Sequence, residues 1–578
     1  MKRIFFYILV FQSFFSFAQL QGDSETGLLK LKKETTYWSR DSIQKRSEGH
    51  LNVAGFSAIG QRQGRWVFWY KSGKVEEVSN YEKGQLHGRV TQYYENGKMK
   101  VDGYFKHGLA DSIMTAYYSN GNIAEKGYYK LGEKVGRWEY FFENKKPMMV
   151  LEYIYGNPIE RTIEYWNIKG EQLIKNGNGK LIEYYTTGKK KIETTYTNGL
   201  VDGEYKEWAP AGHVFTSGTF SNGKKSGKWE YKFRIEDRIQ KIAHYHNDTL
   251  HGEYIQYFEN DVINIKGNYN WGLKQGFWQW KTKENIPDME GNFQDDLQQG
   301  KWTYYYPNGN VYYTGNFEAG KKQGLWEYFY KDGKIWRKGE FKDDLRNGHW
   351  TVWFENGNIS HHGSYLEGKE NGKWESFYES GKEKDLGYYE MGQMTGEWKG
   401  WYPNGKTYYE GPYTRDMKTG YWKYYFDNGK LSEEGSYKIV KKTGALDEAI
   451  YGVKREYEQS DKHGKWISYS KKDYKKTAEG NYSKGRQDGK WTYYYPGGVM
   501  IAYENSYKEG KLHGKTTTYG RRGEKYTEVN YKNNKKDGDT IIYDNKGQKA
   551  AHFVYKDGVK IKDEIYNKKY VYGKKSRL

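Results

Sequence analysis

Aromatic residues recur at alternate positions along this chain, in short bursts punctuated by glycine. Around Gly300 the burst is Trp302, Tyr304, Tyr305 and Tyr306. Glycine then returns at Gly309, Gly315 and Gly320, and the next burst opens at Gly324. A period of two puts positions +2, +4 and +6 from the opening glycine on one face of a strand and +5 on the other. Aromatic side chains favour that geometry. Asn-Gly at +8/+9, as in Asn308-Gly309, and Asp332-Gly333 as its variant, predict a tight hairpin turn. The Gly-Lys-x-x-Gly stretch from +20 to the next opening glycine predicts a longer, looser turn. The glycine at +15 lies mid-strand, where it leaves room for a neighbouring ring or backbone. Each unit therefore reads as strand, Asn-Gly turn, strand, looser turn.

The unit repeats. Opening glycines fall at Gly252, Gly276, Gly300, Gly324, Gly348, Gly372, Gly396, Gly420 and Gly444, each 24 residues after the last. The series extends upstream to Gly64 and downstream to Gly538, and about twenty units are counted with degenerate ones included. Twelve of the 21 Trp stand at +2. The fold class is all-β: an elongated array of about twenty 24-residue β-hairpin repeats forming a continuous, twisted antiparallel meander. Register is expected to fail at 144–178, where Glu160 stands where an opening glycine should be, at 230–246, and at 438–463. That last segment includes the one stretch with helical character, Ala445 to Ile450.

The ends read differently. Lys2 and Arg3 precede an apolar run, and Ser16-Phe17-Ala18 offers small residues before Gln19. This is a signal-peptide pattern over 1–18. Residues 19–63 read as an N-terminal cap or degenerate repeat, 64–558 as the array, and 559–578 as a basic tail. The expected location is exported: periplasmic, outer-membrane-associated or extracellular.

Composition narrows the classes. Aromatics make up 18% of the 578 residues although mean hydropathy is −1.08. Disordered chains are poor in aromatics, so the polarity does not mean disorder. With no cysteine, disulfide frameworks and cysteine metal sites are excluded. The net charge of +20 suits contact with anionic surfaces, and equally the solubility of a long sheet.

The string Gly315-Asn-Phe-Glu-Ala-Gly320-Lys-Lys-Gln-Gly324-Leu-Trp326 resembles the MORN (membrane occupation and recognition nexus) repeat, and most closely its bacterial variant, some members of which carry an antitoxin-like description. The resemblance covers about 64–558. It implies β-hairpin arrays used for protein contacts, dimerisation and, in some members, acidic-lipid binding.

No nucleophile elbow, phosphate loop or zinc-protease motif is present. The expectation is a non-enzyme with no catalytic residue, cofactor or metal site. His87, His251, His463 and His513 directly precede opening glycines, so the repeat turn accounts for them. The candidate binding face is the aromatic row Trp278, Trp302, Tyr304, Phe317, Trp326, Tyr328, Phe341, Trp350, Tyr365, Trp374, Tyr389, Trp398, Tyr413, Trp422, Tyr424 and Tyr437. Gly309, Gly333, Gly357, Gly381, Gly405 and Gly429 are the turn glycines. The rings are either the core of a thin sheet or an open surface. The expected partner is another protein or a second copy. Envelope polysaccharide and anionic lipid are the alternatives, together with an antitoxin-like role implied by the resemblance. Nucleic acid is not expected.

Overall fold

The computed structural model describes residues 30–38, 43–53, 60–443 and 456–572. The proposed signal peptide lies outside them. The chain divides into two compact units, Met1–Thr249 and Leu250–Leu578. Each is an open antiparallel sheet in which a strand pairs with the strands that precede and follow it in the chain. The described residues contain one helix, Lys568–Tyr572.

The register explains the glycine pattern. Strand Leu297–Tyr305 pairs with Val311–Glu318 through Gly300↔Phe317, Trp302↔Gly315 and Tyr304↔Tyr313. Val311–Glu318 then pairs with Lys321–Phe329 through Tyr313↔Tyr328, Gly315↔Trp326 and Phe317↔Lys322. One face of the sheet therefore carries positions +2, +4, +13, +15 and +17, with position −2 of the following unit beside them.

Both turns differ in detail from the expectation. At the Asn-Gly turn only the glycine takes a positive φ, 86° at Gly309. The amide of Gly309 donates to the Tyr306 carbonyl at 2.8 Å, and the Tyr306 amide donates to Asn310 at 2.8 Å. This is a type I turn closed by a left-handed glycine, not a two-residue turn. The asparagine's part is different: Asn308 Oδ1 accepts from the Asn310 amide at 3.1 Å. The second turn is the tight one. Glu318 pairs with Lys321 across Ala319 and Gly320, whose φ values are 47° and 80°. Two successive positive φ values mark a type I′ turn. The opening glycine is no part of it. Gly324, at φ 62°, lies inside strand Lys321–Phe329 at a β-bulge, where the register shifts.

The irregular segments resolve into variants of the hairpin. Tyr153 pairs with Glu160 as Phe317 pairs with Lys322, so Glu160 holds position −2 and does not replace an opening glycine. The strand that follows in the same stretch, Gln172–Lys175, has only four residues. Segment 230–246 is a hairpin with a longer turn, closed by Phe233 N–H to Arg238 O at 2.9 Å. The third is an extended hairpin: Leu431–Thr443 and Glu456–Tyr469 stay paired out to Thr443↔Glu456. Gly435 faces Trp466. The unit after Gly420 therefore opens at Gly464, and the 24-residue step to Gly444 is a coincidence of spacing. Gly444 and Ala445 to Ile450 lie outside the described residues.

Candidate interaction face

The glycine at +15 and the tryptophan at +2 of the next unit form one device. A Cβ built on Gly315 would lie 2.2 Å from Cδ2 of Trp326, because the indole lies flat on the glycine backbone. The same overlap occurs at Gly267 with Trp278, Gly291 with Trp302, Gly339 with Trp350, Gly387 with Trp398 and Gly411 with Trp422. The ring's one polar atom is satisfied in place. Trp326 Nε1 donates to the Asn316 carbonyl at 3.1 Å, as Trp302 does to Asn292 and Trp350 to Glu340.

Neighbouring rings close in from the sides. Phe317 meets Trp326 edge-on, centroids 5.1 Å apart at 87°, and meets Trp302 at 6.2 Å and 83°. Phe341 and Trp350 stand at 5.1 Å and 90°, and Tyr413 and Trp422 at 5.0 Å and 87°. Edge-to-face contact suits the ring quadrupoles. The fourth side carries a cation from position −2. Lys322 Nζ lies 4.6 Å from the Trp326 ring, Lys418 4.4 Å from Trp422, and the Arg346 guanidinium 5.0 Å from Trp350. Burial holds the Lys322 and Lys418 pKa values below the usual lysine range.

All sixteen candidate residues lie on this face, but they are not equally available. Trp278, Trp302, Trp326, Trp350, Trp398 and Trp422 are buried, with Trp326 and Trp422 at 0% exposure. Phe317, Tyr328 and Tyr365 are also buried. Tyr304, Phe341, Tyr389, Tyr413, Tyr424 and Tyr437 are half-buried. So is Trp374, which turns Cε3 toward Gly363 and stacks on His361 at 5.7 Å and 22°. What the face offers outward is the edges of the +4 and +17 rings and the cations between them. The turn glycines all take positive φ, from 83° at Gly381 to 90° at Gly357.

The alternation missed two features. Position +6 does not extend the +2/+4 row. Tyr306 stands in the turn, and its hydroxyl donates to the Phe329 carbonyl of the next hairpin at 2.8 Å. Tyr330, Tyr378 and Tyr402 repeat that bond. The other is the cation at −2, which the spacing Lys/Arg-x-x-x-Trp could have revealed. At the opposite edge the residue before the opening glycine accepts the first amide of the tight turn. Gln299 Oε1 takes the Ala319 amide at 2.9 Å, and His251 Nδ1 takes that of Trp271 at 3.3 Å. His251 thus does the work of a glutamine.

The reverse face mixes ion pairs and hydrogen bonds with exposed rings such as Phe277, Tyr388 and Tyr421. Tyr305 at +5 donates to Glu290 at 2.6 Å. Tyr543 donates to Glu528 at 2.8 Å, and Lys525 Nζ lies 2.8 Å from the same carboxylate. The Lys525 bond leads in lowering the Glu528 pKa to about 2, against the opposing effect of burial.

The MORN repeat variant family matches the chain at nine places: 62–83, 86–107, 111–131, 177–198, 250–270, 298–319, 322–343, 394–414 and 418–438. The chain carries MORN variant repeats; the matches say nothing of an antitoxin. The search of curated proteins gives no match. Among solved structures, the chain is similar to TcdB2-TccC3-Cdc42 at 11% identity, covering 89% of this chain and 31% of that one, with a TM-score of 0.10. It is similar to a Photorhabdus luminescens Tc holotoxin pore at 10% identity, covering 88% and 32%, with a TM-score of 0.11. The chain spans about a third of the length of those chains, and no argument on function follows from them.

Proposed function

We propose that this MORN repeat array is an exported, non-enzymatic scaffold that binds another protein, or a second copy of itself, along its aromatic face. The observation that carries the reading is the layering. Within each unit a single sheet packs its tryptophans against its own strands and leaves a strip of half-buried tyrosine and phenylalanine edges set among cations. Aromatic residues and arginine are the side chains that supply most binding energy at protein interfaces. The cations add steering toward an acidic partner. Buried indoles weaken the alternative in which sugar rings stack on the tryptophans.

Crosslinking on intact cells, followed by identification of the captured chains, tests the reading. The expected result is a reproducible partner, or this chain itself, with crosslinks mapping to peptides that carry the +4 and +17 aromatics. Crosslinks confined to the reverse face would overturn it. So would a strictly monomeric, partnerless protein in light scattering across a wide concentration range.

A further inference from the structure

On the aromatic face, two of the cations at position −2 meet a carboxylate at +13 of the preceding unit. Lys134 lies over Trp138 at 3.8 Å and reaches Glu125 at 3.0 Å. Lys462 lies over Trp466 at 3.7 Å and reaches Glu433 at 2.6 Å. Between Gly300 and Gly372 this arrangement is absent. The residue that stands to Lys322 as Glu125 stands to Lys134 is Tyr313, and the one that stands so to Arg346 is Arg337. A like charge occupies the place of the counter-charge.

The result is a cation cluster on a ring floor. The Arg337 guanidinium lies 4.0 Å from the Tyr328 ring and 4.5 Å from Trp336. Arg346 donates to the Tyr365 hydroxyl at 3.0 Å. Lys322 stands over Trp326. Among the described residues none of the three makes an ion pair. The Nε of Arg337 is buried without a hydrogen-bond partner. Asp344 accepts the Lys322 amide at 2.8 Å and its charge partly offsets that of Lys322, and Glu370 borders the cluster at Tyr365. Burial, and then the charges of Arg346 and His362, keep His361 beside the cluster below its usual pKa. Three half-buried cations held together without an ion pair are costly unless a ligand supplies the missing charge.

We infer that Lys322, Arg337 and Arg346 form a binding site for an oxyanion, a phosphate or sulfate group, seated above the Tyr328 ring. Two guanidinium forks and one ammonium match the several acceptor oxygens of such a group. The site goes beyond the scaffold reading and does not depend on it.

Calorimetric titration of the full chain with inorganic phosphate, inorganic sulfate and dextran sulfate tests the site. Arg337→Glu is the decisive variant, because it installs the carboxylate that other units already carry there. It should keep the thermal midpoint and lose at least tenfold in affinity for whichever probe binds. Phosphate or sulfate binding that is sensitive to the variant supports a site for the free anion. Dextran sulfate binding more than tenfold tighter per group, with the same sensitivity, supports an anionic group carried on a polymer. No binding of any probe at millimolar concentration overturns the inference, as does binding unchanged in Arg337→Glu. A variant that lowers the midpoint is checked against Arg337→Met, which removes the charge alone and should also bind weakly.

Discussion

At the residue scale the repeat rests on a glycine and a tryptophan that make sense only together. Gly315 has no side chain because the Trp326 ring occupies the space a methyl would take. Gly315→Ala should force the ring off its seat and cost about 1–3 kcal/mol, the range for overpacking a filled site. Trp326→Ala should cost about 3–5 kcal/mol, as for other large buried rings. The two penalties should not add, since the alanine methyl partly fills the gap left by the indole. A double-mutant cycle by urea denaturation checks this, and full additivity would mean the two residues do not share one space. The sequence announced half of this pairing. A mid-strand glycine signals a close neighbour, and the alternation puts tryptophan on the core side. It does not say that the neighbour is the tryptophan of the following hairpin, because cross-strand register depends on the turns. Gly324 stands where the spacing predicts a turn, yet it is a bulge within the strand.

At the scale of the hairpin, side chains tie each turn to the next. The Tyr306 hydroxyl reaches Phe329 O, and Asn308 Nδ2 reaches Lys331 O at 2.8 Å. Tyr306→Phe should cost about 0.5–1.5 kcal/mol, the net worth of one hydrogen bond, and Phe354 and Phe426 show that the position accepts the ring without its hydroxyl. A loss above that range would mean that the ring packing had also been disturbed. On the reverse face Glu528 joins Tyr543, Lys515 and Lys525. Its pKa is lowered to about 2, so its stabilisation is complete above the ordinary carboxylate range near 4.3 and fades as pH falls through about 2. Urea midpoints between pH 6 and pH 2 should therefore decline with acid, and Glu528→Gln should flatten that decline. A variant with the same slope as the parent would remove the linkage. None of these ties could be read from hydrophobic alternation, which reports which face a residue takes and not which strand its polar end reaches. The extended hairpin was hidden for a related reason. An insertion of two paired strands keeps the period of two, so only the partnership of Gly435 with Trp466 reveals it.

At the scale of the molecule, what matters is that contacts run between successive strands. Within each unit a hairpin is held by the hairpins on either side of it, and stability is close to a sum of local and nearest-neighbour terms. Damage should then stay local. Trp138 is buried in the first unit, with Lys134 over its ring and Gly127 beneath it. Trp138→Ala should raise amide exchange in strands Ile123–Lys130, Glu133–Phe141 and Pro147–Tyr153. Exchange in the strands around Trp326 and Trp350 should remain as in the parent, because nearest-neighbour terms do not reach that far along the chain. Hydrogen exchange read by mass spectrometry resolves these peptides separately. A uniform rise across 60–443 would show a single cooperative core and defeat the nearest-neighbour account. A confined rise would also explain how the chain carries so many variant units. A short strand at Gln172–Lys175, a long hairpin at Leu431–Thr443 and an arginine in place of a carboxylate at Arg337 can each be held in one unit without loss to the others. That latitude is what would let an array of near-identical hairpins acquire a distinct site at one place along its face.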